Sequence, residues 1–423
     1  MNMEELLKGI HDCTCGKNHL CPVEHVMIGK DVLGTLKEIC SGYQNILLVF
    51  DQNTYQVCGK EVAGILGEKI TSSIMFETGE KPLIPNEEAI EALHAKFIEE
   101  TDLVVGVGSG VINDLCKIVS FEHHVPYYIV ATAPSMDGYV SVGSALILKG
   151  MKVTLNAAPP KGIIADTDVL KKAPMEMLQA GYGDIIGKYS CLNDWKLSAL
   201  INNEYFCQKV YDITYESAEK VRKLAEGITK REEDAVAALM EALIVVGIAM
   251  AYVGNSRPAS GSEHHFSHYF EITGISEGKP YLAHGIDVAY SSVLTAKIRE
   301  KILASVPKRR EFHEEEWNSE VKRIYQGSAD EVIKLQKRLG WYWEDYSERV
   351  LPKWNEIKAV LAEAPTKEET LQMIEAVGMN YEEFVRFYGQ KKIEDGLLFA
   401  KDLKDRYTVL WLYYEFVRYE QIS

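Results

Sequence analysis

Basic charge is scarce. Forty-six lysines and arginines stand against 62 aspartates and glutamates, for a net charge of -16. Such a chain repels a phosphate backbone, which argues against nucleic-acid partners, while its charge favours solubility. An anionic substrate would need a local cluster of positive groups. Long hydrophobic runs are missing too: the most apolar stretch, Ala242 to Gly254, is short of the roughly 20 residues that span a bilayer and reads as a buried helix. The N-terminus lacks the basic stretch and apolar core of a signal peptide. Eight cysteines are scattered without a regular frame, so reduced thiols and a cytoplasmic location are expected. There is no internal repeat and no low-complexity tract. What remains is ordinary globular composition, 47% hydrophobic and 26% charged over 423 residues, enough for two domains.

The first part alternates strands and helices. Apolar runs at Asn45 to Phe50, Ser73 to Phe76, Leu103 to Gly106, Tyr127 to Ala131 and Gly162 to Asp166 predict five strands, with helical patterns such as Asn86 to Glu100 between them. This alternation predicts a mostly parallel sheet covered on both faces. From Gly181 onward helical periodicity takes over: Ile185 to Ile201, Glu232 to Tyr252, Leu282 to Ile302, Asp330 to Leu339, Glu368 to Val377 and Leu403 to Arg418. Pro365 marks a helix boundary. The charged stretch Lys308 to Glu320 reads as a solvated helix face. The division expected is an N-terminal extension (1–24), an α/β nucleotide-binding domain (25–180) and an all-α domain (181–423).

Gly106-Val107-Gly108-Ser109-Gly110 follows a strand and opens a helix striped by Val111, Leu115, Ile118 and Val119. Glycines there let a backbone approach a pyrophosphate, and the helix N-terminus attracts its charge. The dinucleotide fingerprint is incomplete, because Val111 occupies the third glycine's place, and a plain tight turn fits as well. Asp51 closes an earlier strand, where a carboxylate can accept from ribose hydroxyls or simply form a turn. Thr132 to Asp137 closes a later strand with hydroxyls and a carboxylate.

Four of eleven histidines fall between 264 and 284. His264 and His268, four apart, share a helix face; His284 follows just before Gly285. Imidazoles and a carboxylate suit zinc, nickel or iron, and a catalytic metal takes three protein ligands and keeps one open position. Asp184 is the candidate carboxylate. Spacing leaves His265 and His268 open as the second ligand, with His265 pointing away from His264. Histidines also fill polar interiors, so spacing alone does not decide. At the N-terminus His11, Cys13, Cys15, His19 and Cys21 crowd together; they are read as unligated thiols, with structural zinc as the alternative.

Four ordered segments carry a resemblance over nearly the whole chain, from Cys13 to beyond His284: GVGSGVINDLCK (106–117), ATAPSMDGYVS (131–141), GYGDIIGKYS (181–190) and SRPASGSEHHFSH (256–268) with His-Gly at 284–285. The sequence resembles the sn-glycerol-1-phosphate dehydrogenase family, bacterial branch, in a superfamily with glycerol dehydrogenase, iron-containing alcohol dehydrogenases and dehydroquinate synthase. The resemblance implies the dehydroquinate synthase-like fold, with an active site in the cleft between the domains. It implies that Gly108 and Gly110, Val111, Ile112, Asn113 and Asp114 wrap the cofactor phosphates. Asp51, Thr132, Ala133, Pro134, Ser135 and Ser141 would also touch an NAD or NADP cofactor. It implies one divalent metal on Asp184, His264 and His284, with Asp137, Asp184 and His268 as substrate-contacting catalytic residues. Val111 departs from an expected threonine, at a cost of about 1 kcal/mol in lost hydrogen bonding; Asp51 should repel a 2′-phosphate and so favour NAD.

The reaction implied is interconversion of dihydroxyacetone phosphate and sn-glycerol 1-phosphate by hydride transfer at C2, within phospholipid metabolism. Lys188 and Arg257 are candidates to bind the substrate phosphate. Alternatives are a dehydrogenase of unphosphorylated glycerol, a dehydroquinate-synthase-like lyase, disfavoured because Asp184 stands where a glutamate is expected, and a non-catalytic binding module. The apolar stretch Tyr407 to Val417 can pack internally or against a partner, and a homo-oligomer such as a dimer is expected, with no nucleic-acid partner and no membrane span.

Overall fold

Unbroken apolar runs form the middle of the sheet, because a strand covered on both faces has no solvent side to mark with polar residues. The computed structural model describes residues 2–79, 83–148 and 151–418. Its strands are β1 (His25–Gly29), β2 (Ile46–Asp51), β3 (Ile70–Phe76), β4 (Leu103–Gly108), β5 (Tyr127–Ala131), β6 (Gly143–Leu148), β7 (Met151–Asn156) and β8 (Gly162–Asp166). Six pair in the order β1-β8-β5-β4-β2-β3, all parallel. Strands β4, β5 and β8 are buried along their whole length.

The five expected strands are all present. Sequence reading missed β1, a half-buried edge strand. It also shortened β3, whose outward Thr71 and Ser73 lie on the other edge. The antiparallel hairpin β6–β7 was missed as well, although Ser144 to Leu148 and Lys152 to Leu155 flank a Lys-Gly pair.

Contacts divide the chain into two units: residues 1–182 with 219–256, and residues 183–218 with 257–423. The sheet lies in the first. Its principal helices are α1 (Gly110–His123) and the 21-residue α4 (Glu233–Val253), while α2 (Met175–Ile186) begins in it. Helix α4 is long and apolar enough to cross a membrane, longer than the sequence run suggested, yet 83% of its apolar window is buried within the protein. Buried-helix character is therefore confirmed.

The second unit is helical, with no strand among its described residues. It contains α3 (Lys188–Asn202), α5 (Ser262–Glu277), α6 (His284–Ala304) and α7 (Val409–Phe416), besides shorter helices. Three expected boundaries move. The helix expected from Ile185 is two, α2 and α3, parted at Gly187. The helix expected from Asn86 is capped by Asn86 and ends at His94. The helix expected from Leu403 starts only at Val409, where Thr408 accepts from the Leu410 N–H. Pro365 does lie between two helices, Trp354–Leu361 and Lys367–Glu375. In the charged stretch only Glu314 onward is helical, with three glutamates at the positive end of the helix Glu314–Tyr325. Helix α7 packs internally: Leu410, Trp411 and Leu412 are fully buried.

Glu415 on α7 gives a pH-dependent test. Burial pushes its carboxyl up to about 8, against the pull of Lys401 and Arg309. The folded chain therefore keeps a proton that the unfolded chain, with an ordinary glutamate pKa, releases. Stability from this group is present below about pH 4.5 and falls as pH rises towards 8, by up to about 1.4 kcal/mol per unit. Glu415→Gln should remove that slope: its melting temperature should exceed the wild type's by about 2–4 °C at pH 8.5 and match it near pH 4.5.

Candidate active site

Close helix packing brings the candidate metal ligands together. Asp184 lies on α2, flanked by Gly183 and, one turn on, Gly187. A Cβ added at Gly183 would lie 2.3 Å from the Gly285 carbonyl and 2.7 Å from Ala289 Cβ; one at Gly187 would lie 2.6 Å from Val288 Cγ1. The missing side chains let α2 approach α6 at backbone distance, which places Asp184 beside His284, the first residue of α6. Helix α5 brings His264 from the third side. Ligand atoms of Asp184, His264 and His284 lie within 4.8 Å of one another. Asp184 Oδ1 is 3.5 Å from His264 Nε2, and tetrahedral bonds to nitrogen and oxygen at about 2.0–2.1 Å would put two such donors about 3.3 Å apart. The donor set therefore fits a divalent ion.

The surroundings fix each ligand's chemistry. Asp184 is fully buried. Burial alone would raise its pKa, but the Lys188 ammonium, His264 and His284 hold it well below the usual carboxylate range. Lys188 Nζ donates to Asp184 Oδ1 at 2.8 Å and to the Ala259 carbonyl at 3.0 Å. His264 Nδ1 lies 2.7 Å from Glu263 Oε1, which sets the tautomer: Nδ1–H donates to the carboxylate and Nε2 faces Asp184. Ser267 Oγ lies 3.2 Å from His284 Nδ1. Tyr388 braces the segment before α6, accepting from the Leu282 N–H and donating to Asp287.

Sequence reading missed Glu263, Ser267 and Lys188's orienting role, because none has a spacing signature; adjacency to His264 was the available hint for Glu263. Burial pushes the Glu263 carboxyl up to about 7; Glu263→Gln keeps the shape and removes the charge it carries above that pH, where metal affinity should drop by about 10–100-fold, read as a shift in the metal concentration that restores activity. An unchanged metal titration would show that Glu263 does not tune the site.

Neither His265 nor His268 belongs to the close group, whose third member is His284. His265 is fully buried, and burial, helped by Arg406, Lys404 and Arg257, holds its pKa well below the ordinary value. His268 sits beside the group, its ring 5.6 Å from that of His284, without joining the ligand set. The two proposed phosphate ligands are committed elsewhere. Lys188 is spent on Asp184, and Arg257 Nε and Nη2 bind Glu204, with Nη2 also on the Tyr407 carbonyl. Arg257 is 2% exposed, so neither cation is presented to a substrate.

Within the first unit, the ends of β2, β4 and β5 are neighbours in register, Phe50 opposite Val107 and Gly108 opposite Ala131. Chain direction across the sheet reverses between β2 and β4, the switch point where ligands of such sheets bind. Gly106 and Gly108 act in packing: an added Cβ would meet Cys116 Sγ at 2.8 Å and Ile112 Cβ at 2.5 Å. That contact buries Ile112, so only its backbone N–H can serve an anion at the start of α1. The first turn of α1 carries no acidic residue and no side-chain cap, a setting that suits an anion.

Asp51 does form a turn, its Oδ1 accepting from the Thr54 N–H at 2.8 Å, and a carboxylate keeps further acceptor sites for ribose. Asn113 is fully buried and bonds Tyr127 and Gly138. Ser141 donates to the Gly138 and Gly143 carbonyls. The unexpected organiser is Lys117: fully buried, it donates to Gly138 O, Ser141 Oγ and Gly143 O at 2.8–3.1 Å and lies 3.5 Å from Asp114. Thr132, Ala133 and Asp137 are buried and Ser135 half-buried on the neighbouring segment.

Known proteins resemble this chain in sequence and in fold. The family model for iron-containing alcohol dehydrogenase matches residues 27–174. Glycerol-1-phosphate dehydrogenase (NAD(P)+) of Halalkalibacterium halodurans is 35% identical over 293 residues, covering 68% of this chain and 73% of that protein. The protein so named from Geobacillus thermodenitrificans is 32% identical over 335 residues, covering 77% and 83%. Sulfoacetaldehyde reductase from Bifidobacterium kashiwanohense in complex with NAD+ has the same fold at TM-score 0.60, with 14% identity over 94% of this chain and 97% of that one. Glycerol dehydrogenase from Schizosaccharomyces pombe follows at TM-score 0.53, 15% identity, 87% and 92% covered. With the sheet, the glycine-packed helices and the aspartate–histidine group in place, the chain belongs to the glycerol-1-phosphate dehydrogenase family.

Proposed function

We propose that this protein is a metal-dependent, NAD(P)-linked oxidoreductase that interconverts dihydroxyacetone phosphate and sn-glycerol 1-phosphate by hydride transfer at C2. The observation that carries the reading is the convergence of Asp184, His264 and His284 on one point, in a chain whose relatives are named for that activity. Asp184, His264 Nε2 and His284 would hold zinc, nickel or iron. A bound ion of that kind acts as a Lewis acid that polarises a ketone oxygen and stabilises the corresponding alkoxide.

The chain's own groups do the positioning. Lys188 orients Asp184, Glu263 fixes the tautomer of His264, and Ser267 supports His284. Asp137 and His268 contact substrate, and His268 is the proton-relay candidate, since its imidazole stands next to the ligand group with part of its surface exposed.

Nucleotide binding falls to residues 25–180, preceded by the 1–24 extension, and metal and substrate binding to the helical part of 181–423. Gly108, Gly110, Val111, Ile112, Asn113 and Asp114, with Asp51, the Thr132 to Ser135 segment and Ser141, form the cofactor site. Asp51 favours NAD by repelling a 2′-phosphate. A cytoplasmic homo-oligomer completes the reading.

The test is NADH oxidation with dihydroxyacetone phosphate and with dihydroxyacetone, with metal content and product handedness determined. Turnover of the phosphate to the sn-1 product supports the proposal. A preference for the unphosphorylated ketone would reassign the enzyme to glycerol.

A further inference from the structure

The N-terminal cysteines fold into a knuckle that the proposed redox site does not use. Residues 10–19 form a closed loop: Ile10 and His19 exchange both backbone hydrogen bonds at 2.8 Å. Asn18 Oδ1 accepts from the Asp12 N–H at 2.8 Å, and the Gly16 N–H bonds the Cys13 carbonyl at 2.8 Å. Gly16 turns the chain at φ +83°, in the left-handed region that favours glycine. This tight Cys-Thr-Cys-Gly turn points two thiols towards one imidazole. The donor atoms of Cys13, Cys15 and His19 lie within 4.8 Å of one another.

A second observation points to an ion. His19 is fully buried, and its Nδ1 lies 2.9 Å from the Tyr252 carbonyl. A carbonyl only accepts, so Nδ1 carries the proton and Nε2 presents its lone pair. Nε2 faces Cys15 Sγ at 3.3 Å. Zinc bonds of about 2.3 Å to sulfur and 2.0–2.1 Å to nitrogen, at a tetrahedral angle, put those two atoms about 3.5 Å apart. A ring whose second nitrogen is tied to a backbone carbonyl is the usual support of a metal-bound histidine. Meanwhile none of residues 11–18 is buried, so the loop has no apolar core to hold its shape. Metal binding can supply that stability.

We infer that Cys13, Cys15 and His19 bind a structural zinc ion, separate from the Asp184–His264–His284 group. Binding deprotonates both thiols and releases two protons; a further donor completes the four positions. Cys21 and His11 stay outside the ligand group. Through His19 and Tyr252, whose hydroxyl also donates to the Leu6 carbonyl, the ion fastens the N-terminal segment to α4. Plain unligated thiols, the simpler account from sequence, would not need His19 held in one tautomer.

The test compares full-length wild type, Cys13→Ser/Cys15→Ser and His264→Ala, purified without chelator. The thiol variant should lose one zinc equivalent per chain, melt at a lower temperature and keep its turnover at 25 °C. His264→Ala should retain that zinc. In wild type loaded with cobalt, a thiolate-to-metal band in the near ultraviolet should appear and persist in His264→Ala. In untreated wild type the two thiols should react with a disulfide reagent at least about tenfold more slowly than after chelation. Equal zinc in wild type and thiol variant, or no thiolate band together with fast thiol reaction before chelation, would overturn the assignment. The cobalt and thiol measurements need only wild type, so they decide the matter even if the double variant fails to fold.

Discussion

His264→Ala should yield a folded protein without its redox-site metal and with turnover reduced by at least about 10³-fold, equivalent to about 4 kcal/mol of transition-state stabilisation. The fold should survive because no buried charge is stranded: Asp184 keeps Lys188 at 2.8 Å, and Glu263 keeps the Gly261 N–H at 2.8 Å. Asp184→Ala is the poorer experiment. It leaves the fully buried Lys188 without its carboxylate, at a cost of about 3–5 kcal/mol, so lost activity there would mix chemistry with unfolding. Metal analysis, circular dichroism and turnover on one His264→Ala preparation separate the two. Substantial activity in a metal-free, folded variant would remove the metal from the mechanism.

The contrast between these two substitutions shows what sequence could and could not supply. The candidate ligands that the fold brings together were legible, because Asp184, His264 and His284 sit in short distinctive segments that a family resemblance can carry. The central strands were legible because β2, β4, β5 and β8 are apolar along nearly their whole length. Edge strand β1 was not, since a half-buried strand of five residues has neither a continuous run nor clean alternation. Nor were the groups that set ligand chemistry. Glu263 looks like any helix-opening acid in sequence, and Lys188 reads there as a cation for substrate phosphate, whereas the fold sets it against Asp184 and the Ala259 carbonyl. Lys117 carried no signal at all, because a lysine bonded to three oxygens of one loop has no sequence period. Arg257 failed as a phosphate ligand for a similar reason: sequence proximity to a motif does not say which way a side chain faces. Long-range pairing, such as Arg257 with Glu204 53 residues away, is settled only by the fold.

Gly183→Ala should cost at least about 10²-fold in turnover although it leaves every ligand in place. The added Cβ would lie 2.3 Å from the Gly285 carbonyl oxygen and 2.7 Å from Ala289 Cβ. Two of the obstacles are thus backbone or short side chain, with no flexible end to swing aside. Helices α2 and α6 must part, and with them Asp184 and His284, which ride on adjacent residues of those helices. Overpacking of this kind costs about 1–3 kcal/mol in stability, tolerable for a folded chain. A misplacement near 1 Å in a site built for one geometry costs about 10² in rate. The effect on activity should therefore exceed the effect on stability, with metal affinity falling in parallel. Gly187→Ala makes a useful companion, because its first obstacle is Val288 Cγ1 at 2.6 Å, a side-chain atom able to yield, so its loss should be smaller. If both variants bind metal and turn over like wild type, the glycines serve some purpose other than bringing the ligands together, and the packing account of this site fails.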